Sequence, residues 1–239
     1  MRKRLVRENE GAGEMIQRRG EMKKFLIPLF ILGMTFAWGA PLRAETKPSL
    51  AILPFFIEKV DDPTRGAICP VCRAVYRPGD ILAGSRNTLT RLLQEKTEAM
   101  DKFAILPPEK VEEALSQSER SQFELKPLRS SIQLGRTLNM NFIFIGFVFR
   151  FEERIGSHIG AEKPASVGFD VHLIRLRDEK IVWTGKFDET QRPLSENVLK
   201  IGSFFRRKAS WLTAEELSSV GMDEMLKKFP GAKELEEMP

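Results

Sequence analysis

The strongest hydrophobic signal in the chain is Asn141–Phe151, NFIFIGFVFRF, in which Phe142, Phe144, Phe147, Phe149 and Phe151 are interleaved with Ile143, Ile145 and Val148. A run that is apolar at both parities needs cover on both faces, so it reads as a central strand between two layers. The phase of the phenylalanines changes at Gly146, which reads as a bulge. Val167–Leu176 and Ile181–Thr190 alternate instead. Val167, Phe169, Val171 and Leu173 share one face, as do Ile181, Trp183 and Phe187 on the partner, and Arg177-Asp178-Glu179-Lys180 makes the turn of an antiparallel hairpin. Leu50–Ile57 and Lys102–Leu106 are shorter apolar runs, read as strands, with Pro54 at the margin of the first.

Helical spacing governs the rest. Ser85–Met100 sets Leu89, Leu92, Leu93 and Met100 near one face. Pro108 opens a helix over Glu109–Ser116, and Leu128–Leu138 is a third, with Ile132, Leu134 and Leu138 apolar. A C-terminal helical region starts near Ser195. Within it Thr213-Ala214-Glu215-Glu216 is a capping box for a helix running to about Phe229, and Pro230-Gly231 stops it. Residues 233–239 read as a loose tail. Residues 58–82 hold Pro63, Gly66, Pro70, Pro78 and Gly79 and read as one long Cys-containing loop, a length that in a compact domain points to function. The fold class is therefore α/β (α+β): a single two- or three-layer domain over residues 45–232. It has a mixed sheet of about five strands, a closing antiparallel hairpin and a C-terminal helix.

Charge changes this picture at the N-terminus only. The net charge is +5, and residues 1–44 alone carry a basic excess of that size, so the rest of the chain is balanced. A balanced domain offers no electrostatic footprint for a phosphate backbone, which excludes nucleic acid as the expected partner. Met22-Lys23-Lys24, the uncharged run Phe25–Ala40 and Pro41-Leu42-Arg43-Ala44 form the three parts of a secretory signal peptide over residues 22–44, with cleavage between Ala44 and Glu45. The alternative is an inner-membrane anchor through residues 25–40, a run shorter than the roughly 20 residues of a typical span. Residues 1–21 read as an extension outside the fold, with translation starting at Met22. No lipobox cysteine lies near the cleavage site. The expected location is the periplasm, or outside the cell.

Five pieces of the chain carry a family resemblance: the "AILPF" strand, "KFAILPPEKVEEAL", "LGRTLNMNFIFIGFV" and the "VHLIRLRDEKIVWTG" hairpin, with a helix between the first two. In this order they resemble the periplasmic module of the curli-pore lipoprotein family (CsgG-like). They are also similar to the lipoprotein activators of penicillin-binding proteins and to the N-terminal domain of the Tol-system propeller protein. The likeness covers residues 49–190. It implies an envelope protein that binds another envelope protein, with no catalysis and no cofactor of its own.

The one sharp chemical motif is Cys69-Pro70-Val71-Cys72, formed by the only two cysteines of the chain. Such a pair can close a small disulfide, work as a redox dithiol or supply half a metal site. With export into an oxidising compartment, a structural Cys69–Cys72 disulfide is the expectation and no metal ligand set is assigned. Thiol-redox or metal-binding function through Cys69 and Cys72 is the alternative. Zinc needs four ligands, and the remaining imidazoles are His158 and His172, the latter in a predicted strand. Glu152-Glu153 and Asp188-Glu189 read as solvated strand ends rather than acid–base pairs. Ser157-His158 and Ser195 with His172 match nucleophile–base sets by residue type alone, and neither G-x-S-x-G nor a phosphate-binding glycine loop occurs. Arg206-Arg207-Lys208, between Phe205 and Trp211, reads as part of an amphipathic helix, with peripheral contact to anionic lipid headgroups or a partner as the alternative. No catalytic residue is assigned.

Overall fold

The computed structural model describes residues 47–58, 60, 62, 64–118, 120–191 and 211–237. The leader with its Ala44/Glu45 junction, Ser195 and the 206–208 basic cluster lie outside the described residues. No described helix is long and apolar enough to cross a membrane.

The chain is a mixed α/β protein built on a six-stranded sheet. Its main strands are β1 (Ser49–Ile52), β5 (Ala104–Ile105), β6 (Phe142–Glu152), β9 (Ser166–Arg175) and β10 (Lys180–Thr190), in the order β10-β9-β6-β1-β5. The short β2 (Phe56–Ile57) also pairs with β6. The β6–β9–β10 side is antiparallel, whereas β1 runs parallel to both β5 and β6. The apolar run Leu50–Ile57 is thus two strands, broken at Pro54. Two small hairpins stand apart: β3 (Ala67–Ile68) with β4 (Val75–Tyr76), and β7 (Ile155–Gly156) with β8 (Ala161–Lys163).

β6 divides its apolar residues between two cores, as its composition requires. Phe142 and Phe144 pack on one face with Val167, Phe169, Val171 and Leu173 of β9. Helices α1 (Ser85–Ala99) and α5 (Ala214–Leu226) cover this face through Leu89, Leu93, Leu217 and Met222. Ile143, Ile145, Phe147 and Phe149 belong to the other face. That face lies under Val111 of α2 (Pro108–Ser116), Phe123 of α3 (Arg120–Leu125) and Ile132 of α4 (Pro127–Thr137), with Ala67 and Tyr76 of the β3–β4 hairpin. The capping box is formed: Thr213 Oγ1 accepts from the Glu216 amide, and Glu216 accepts from the Thr213 amide.

Several expectations need correction. The bulge in β6 lies between Val148 and Arg150, not at Gly146. Gly146 is small because a Cβ there would come within 2.6 Å of the Phe55 ring. In β10 the register shifts between Ile181 and Trp183, turning Ile181 toward solvent and Val182 into the core. The tail expected to be loose forms α6 (Ala232–Glu237), whose Leu235 is buried and whose Leu235 carbonyl accepts from Arg175 Nη1. The long loop is not structureless either, since it contains the β3–β4 hairpin.

Candidate metal centre

The Cys-Pro-Val-Cys segment is the turn of the β3–β4 hairpin, with Ala67 opposite Tyr76 and Ile68 opposite Val75. Pro70 fixes φ at the turn's second position. Arg73 lies in the left-handed region (φ 60°), which lets its amide bond back to the Cys69 carbonyl at 3.1 Å. The Cys69 amide donates to the Ala74 carbonyl at 2.9 Å. Wrapped in this way, the turn aims the amides of Val71 and Cys72 at Cys69 Sγ, both at 3.4 Å. Two N–H donors on one sulfur favour its thiolate over its thiol.

Beneath this turn lies the middle of β9. Asp170 is opposite Phe147, and His172 is opposite Ile145 on one side and Thr184 on the other. Residues two apart on a strand point the same way, so Asp170 and His172 both face the hairpin. Both are fully buried. His172 Nε2 is 3.3 Å from Cys69 Sγ and 3.2 Å from Asp170 Oδ1. Cys72 Sγ is 3.6 Å from Asp170 Oδ2. All four donor atoms lie within 4.8 Å of one another. A tetrahedron with metal–ligand bonds of about 2.0–2.3 Å has edges of roughly 3.3–3.8 Å; the Cys69–His172 and Cys72–Asp170 separations fall in that range, and the His172–Asp170 separation lies just below it.

The surroundings hold these donors in place. His172 Nδ1 meets Thr184 Oγ1 at 3.0 Å, which leaves Nε2 as the inward nitrogen. Tyr76 donates its hydroxyl to Asp170 Oδ2 at 3.0 Å and stacks on Phe149 with ring centroids 4.0 Å apart. Asp170 Oδ1 is buried with no hydrogen-bond partner. A buried carboxylate oxygen left this way is costly unless a cation meets it. The same electrostatics act on the neighbours. Burial, and after it the negative charge of Asp170, push the Cys69 thiol and the Tyr76 phenol far above their ordinary ranges, and they raise half-buried Glu58. Further negative charge is disfavoured here and positive charge is favoured.

The return limb of the loop is fastened separately. Arg150, displaced by the bulge, is buried and donates to the Arg77 carbonyl, to Ser166 Oγ and to Asp188 Oδ1, each at 2.6 Å. Asp188 Oδ2 accepts from the Arg77 amide at 3.3 Å. Gly79 passes so close that a Cβ would sit 2.6 Å from the Arg150 side chain.

The sequence-predicted residues therefore separate. Cys69 and Cys72 do not form the expected disulfide; both are free thiols, because the turn points one at His172 and the other at Asp170. His172 joins them. His158 is exposed in the β7–β8 turn, and Ser157 Oγ there accepts from the Gly160 amide. Glu152 pairs with Lys163, Glu153 receives the Ala214 amide at the start of α5, and Asp188 pairs with Arg150. None of these acids reaches the centre. Asp170 is the candidate ligand that sequence reasoning missed. Its signal was the inward face of β9, where Gly168, Asp170, His172 and Ile174 interrupt an apolar pattern with two polar residues at one parity.

By sequence, the chain matches no family model and no curated protein. Among solved structures it is similar to the lipoprotein GNA1162 from Neisseria meningitidis, at 11% identity over 68% of this chain and 98% of that one, with a TM-score of 0.41. It is also similar to the PelC dodecamer from Paraburkholderia phytofirmans, at 9% identity over 75% and 86% of the two chains and a TM-score of 0.40. A third is the C-terminal domain of LpoB from Escherichia coli, at 14% identity over 61% and 84% and a TM-score of 0.37. These neighbours do not show the curli-pore or the Tol-propeller likeness.

Proposed function

We propose that this chain is an exported, non-enzymatic α/β module of the bacterial cell envelope that binds another envelope protein and carries a zinc centre of Cys69, Cys72, Asp170 and His172. The observation that supports the centre best is the convergence of two sulfurs, one imidazole nitrogen and a buried carboxylate that has an oxygen accepting no hydrogen bond, all within 4.8 Å. Two thiolates disfavour calcium and magnesium, while tetrahedral S2NO donors suit zinc. With all four positions supplied by the protein, no place remains for substrate, so the role is structural. The metal ties the hairpin to β9. On the hairpin's outer side the cross-strand pair Ile68 and Val75 is 49% and 68% exposed, an apolar surface suited to a protein partner. The leader pattern of residues 22–44 supports export, and the domain is read as residues 45–232. The test is metal analysis of the purified reduced protein. One zinc per chain is expected, lost in His172→Ala; protein that takes up no zinc in either form overturns the reading.

A further inference from the structure

The two cysteines of the centre differ in access. Cys69 is fully buried between the turn amides and His172, whereas Cys72 is partly exposed. The other two donors, an imidazole and a carboxylate, are inert to mild thiol oxidants. The chain has no third cysteine, so each sulfur has only the other as an intramolecular partner. Resting on the zinc reading above, we infer that the centre is redox-gated: a two-electron oxidation by a small disulfide joins Cys69 to Cys72 and expels the metal.

The steps balance as thiol–disulfide exchange. The Cys72 thiolate attacks one sulfur of the oxidant, the oxidant's S–S bond breaks, and its first thiolate leaves. The Cys69 thiolate then attacks Cys72 Sγ in the mixed disulfide, and the second oxidant thiolate leaves. Two electrons pass from the protein sulfurs to the oxidant, whose two thiolates take up protons from solvent. The metal, left with only Asp170 and His172, departs as the divalent cation. Geometry permits the second attack. The sulfurs already lie within 4.8 Å across one tight turn, and a disulfide needs about 2.0 Å, a gap that side-chain rotation at Cys72 can close. The free-thiol arrangement in the structure is then the reduced state of the pair, and the disulfide is its oxidised state.

The consequence is local. Once the centre opens, the hairpin keeps the Tyr76–Phe149 stack, the Tyr76–Asp170 hydrogen bond and the Arg77–Arg150 contact but loses the metal's tie to β9. The Ile68–Val75 surface is no longer held in one place.

The experiment uses the zinc-loaded full chain and oxidised glutathione as the oxidant. Zinc release is followed with a chromogenic chelator, and the chain mass is measured in parallel. Expected is release of one zinc per chain, accompanied by loss of two hydrogens from the metal-free reduced mass, with dithiothreitol and added zinc restoring the original state. Zinc that stays bound while unprotected control thiols are oxidised overturns the redox inference and leaves the zinc reading standing. A stable glutathione adduct without the internal disulfide also overturns it, because Cys69 then fails to resolve the mixed disulfide. Reduced protein that binds no zinc at the outset overturns the zinc reading itself. Thr184→Val keeps both thiols and all four donors while loosening His172; its zinc should leave at lower oxidant concentration, and unchanged sensitivity counts against coupling between metal hold and thiol access.

Discussion

On the face of the sheet covered by α1 and α5, the buried contacts are almost wholly apolar. Phe142, Phe144, Val171, Leu173, Leu93, Leu217 and Met222 meet there, and edge-on aromatic pairs link Phe144 to Trp183 and Phe103 to Phe142. The opposite face begins in the same way under α2, α3 and α4. Beneath the β3–β4 hairpin it becomes a pocket of thiols, imidazole, phenol and carboxylate. The first face closes by removing hydrocarbon from water, at about 25 cal/mol per Å2. The hairpin has few apolar residues to contribute; of its strand residues, Ala67 and Tyr76 are buried, and Ile68 and Val75 point outward. It is held by directed interactions instead: Arg150 on one limb and, on the reading proposed above, a metal on the other. One sheet thus carries two kinds of adhesion, of which only the second depends on solution chemistry.

The largest expected effect breaks the first face. Phe144→Ala removes a fully buried ring from the middle of β6 and should cost about 3–5 kcal/mol. The loss, measured by denaturant unfolding, should be the same with zinc or with chelator. A metal-dependent loss would mean that the two faces are not independent. The second prediction breaks the other face. His172→Ala, or chelation of the wild-type protein, should leave the global fold but free the hairpin, so that trypsin cuts after exposed Arg73. Equal resistance in zinc-loaded and chelated protein would show that Arg150 and Tyr76 suffice to hold the loop.

The contrast also explains what was legible in the sequence. Apolar packing writes itself into periodicity. The double parity of Asn141–Phe151, the alternation of Val167–Leu173 and the heptad-like spacing of Leu89, Leu92 and Leu93 each lead to the observed element. Exceptions arise where close contact overrides pattern, as at Gly146 against Phe55, or where a register shift turns Ile181 outward. The candidate metal centre has no such periodic signature. Cys69 and His172 are 103 residues apart, and Cys72 and Asp170 are 98 apart. The Cys-Pro-Val-Cys spacing allowed half a metal site as one reading beside a disulfide or a redox pair, and only the pairing of β6 with β9, together with the seating of the hairpin, brings Asp170 and His172 to it. The disulfide expectation failed for the same reason, since two cysteines considered alone have only each other.

A smaller effect sharpens the second face without breaking it. Thr184→Val removes the oxygen that faces His172 Nδ1 while keeping the side chain's shape. Loss of such an outer partner weakens metal affinity by roughly 10–100-fold, about 1.4–2.7 kcal/mol. Competition with a chelator of known affinity measures it. Unfolding of the metal-free protein should change far less than zinc affinity does. Unchanged zinc affinity would mean that His172 is oriented by its contacts with Phe147 rather than by Thr184.

The smallest effect returns to the first face. Thr213→Ala removes the side-chain oxygen that accepts the Glu216 amide at the start of α5, and with it half of the capping box. The cost should be about 1 kcal/mol. Ala214 and Leu217, directly behind the cap, are fully buried, so the helix end cannot swing out to find water without exposing them. Thr213→Ser restores the acceptor and should recover most of the loss, which separates capping from loss of the methyl group. Neither variant should alter zinc stoichiometry, because α5 covers the face opposite the centre. If Thr213→Ala lowered zinc affinity as well, strain at one surface of the sheet would have to be passing through β6 and β9 to the other, and the two adhesions would be coupled after all.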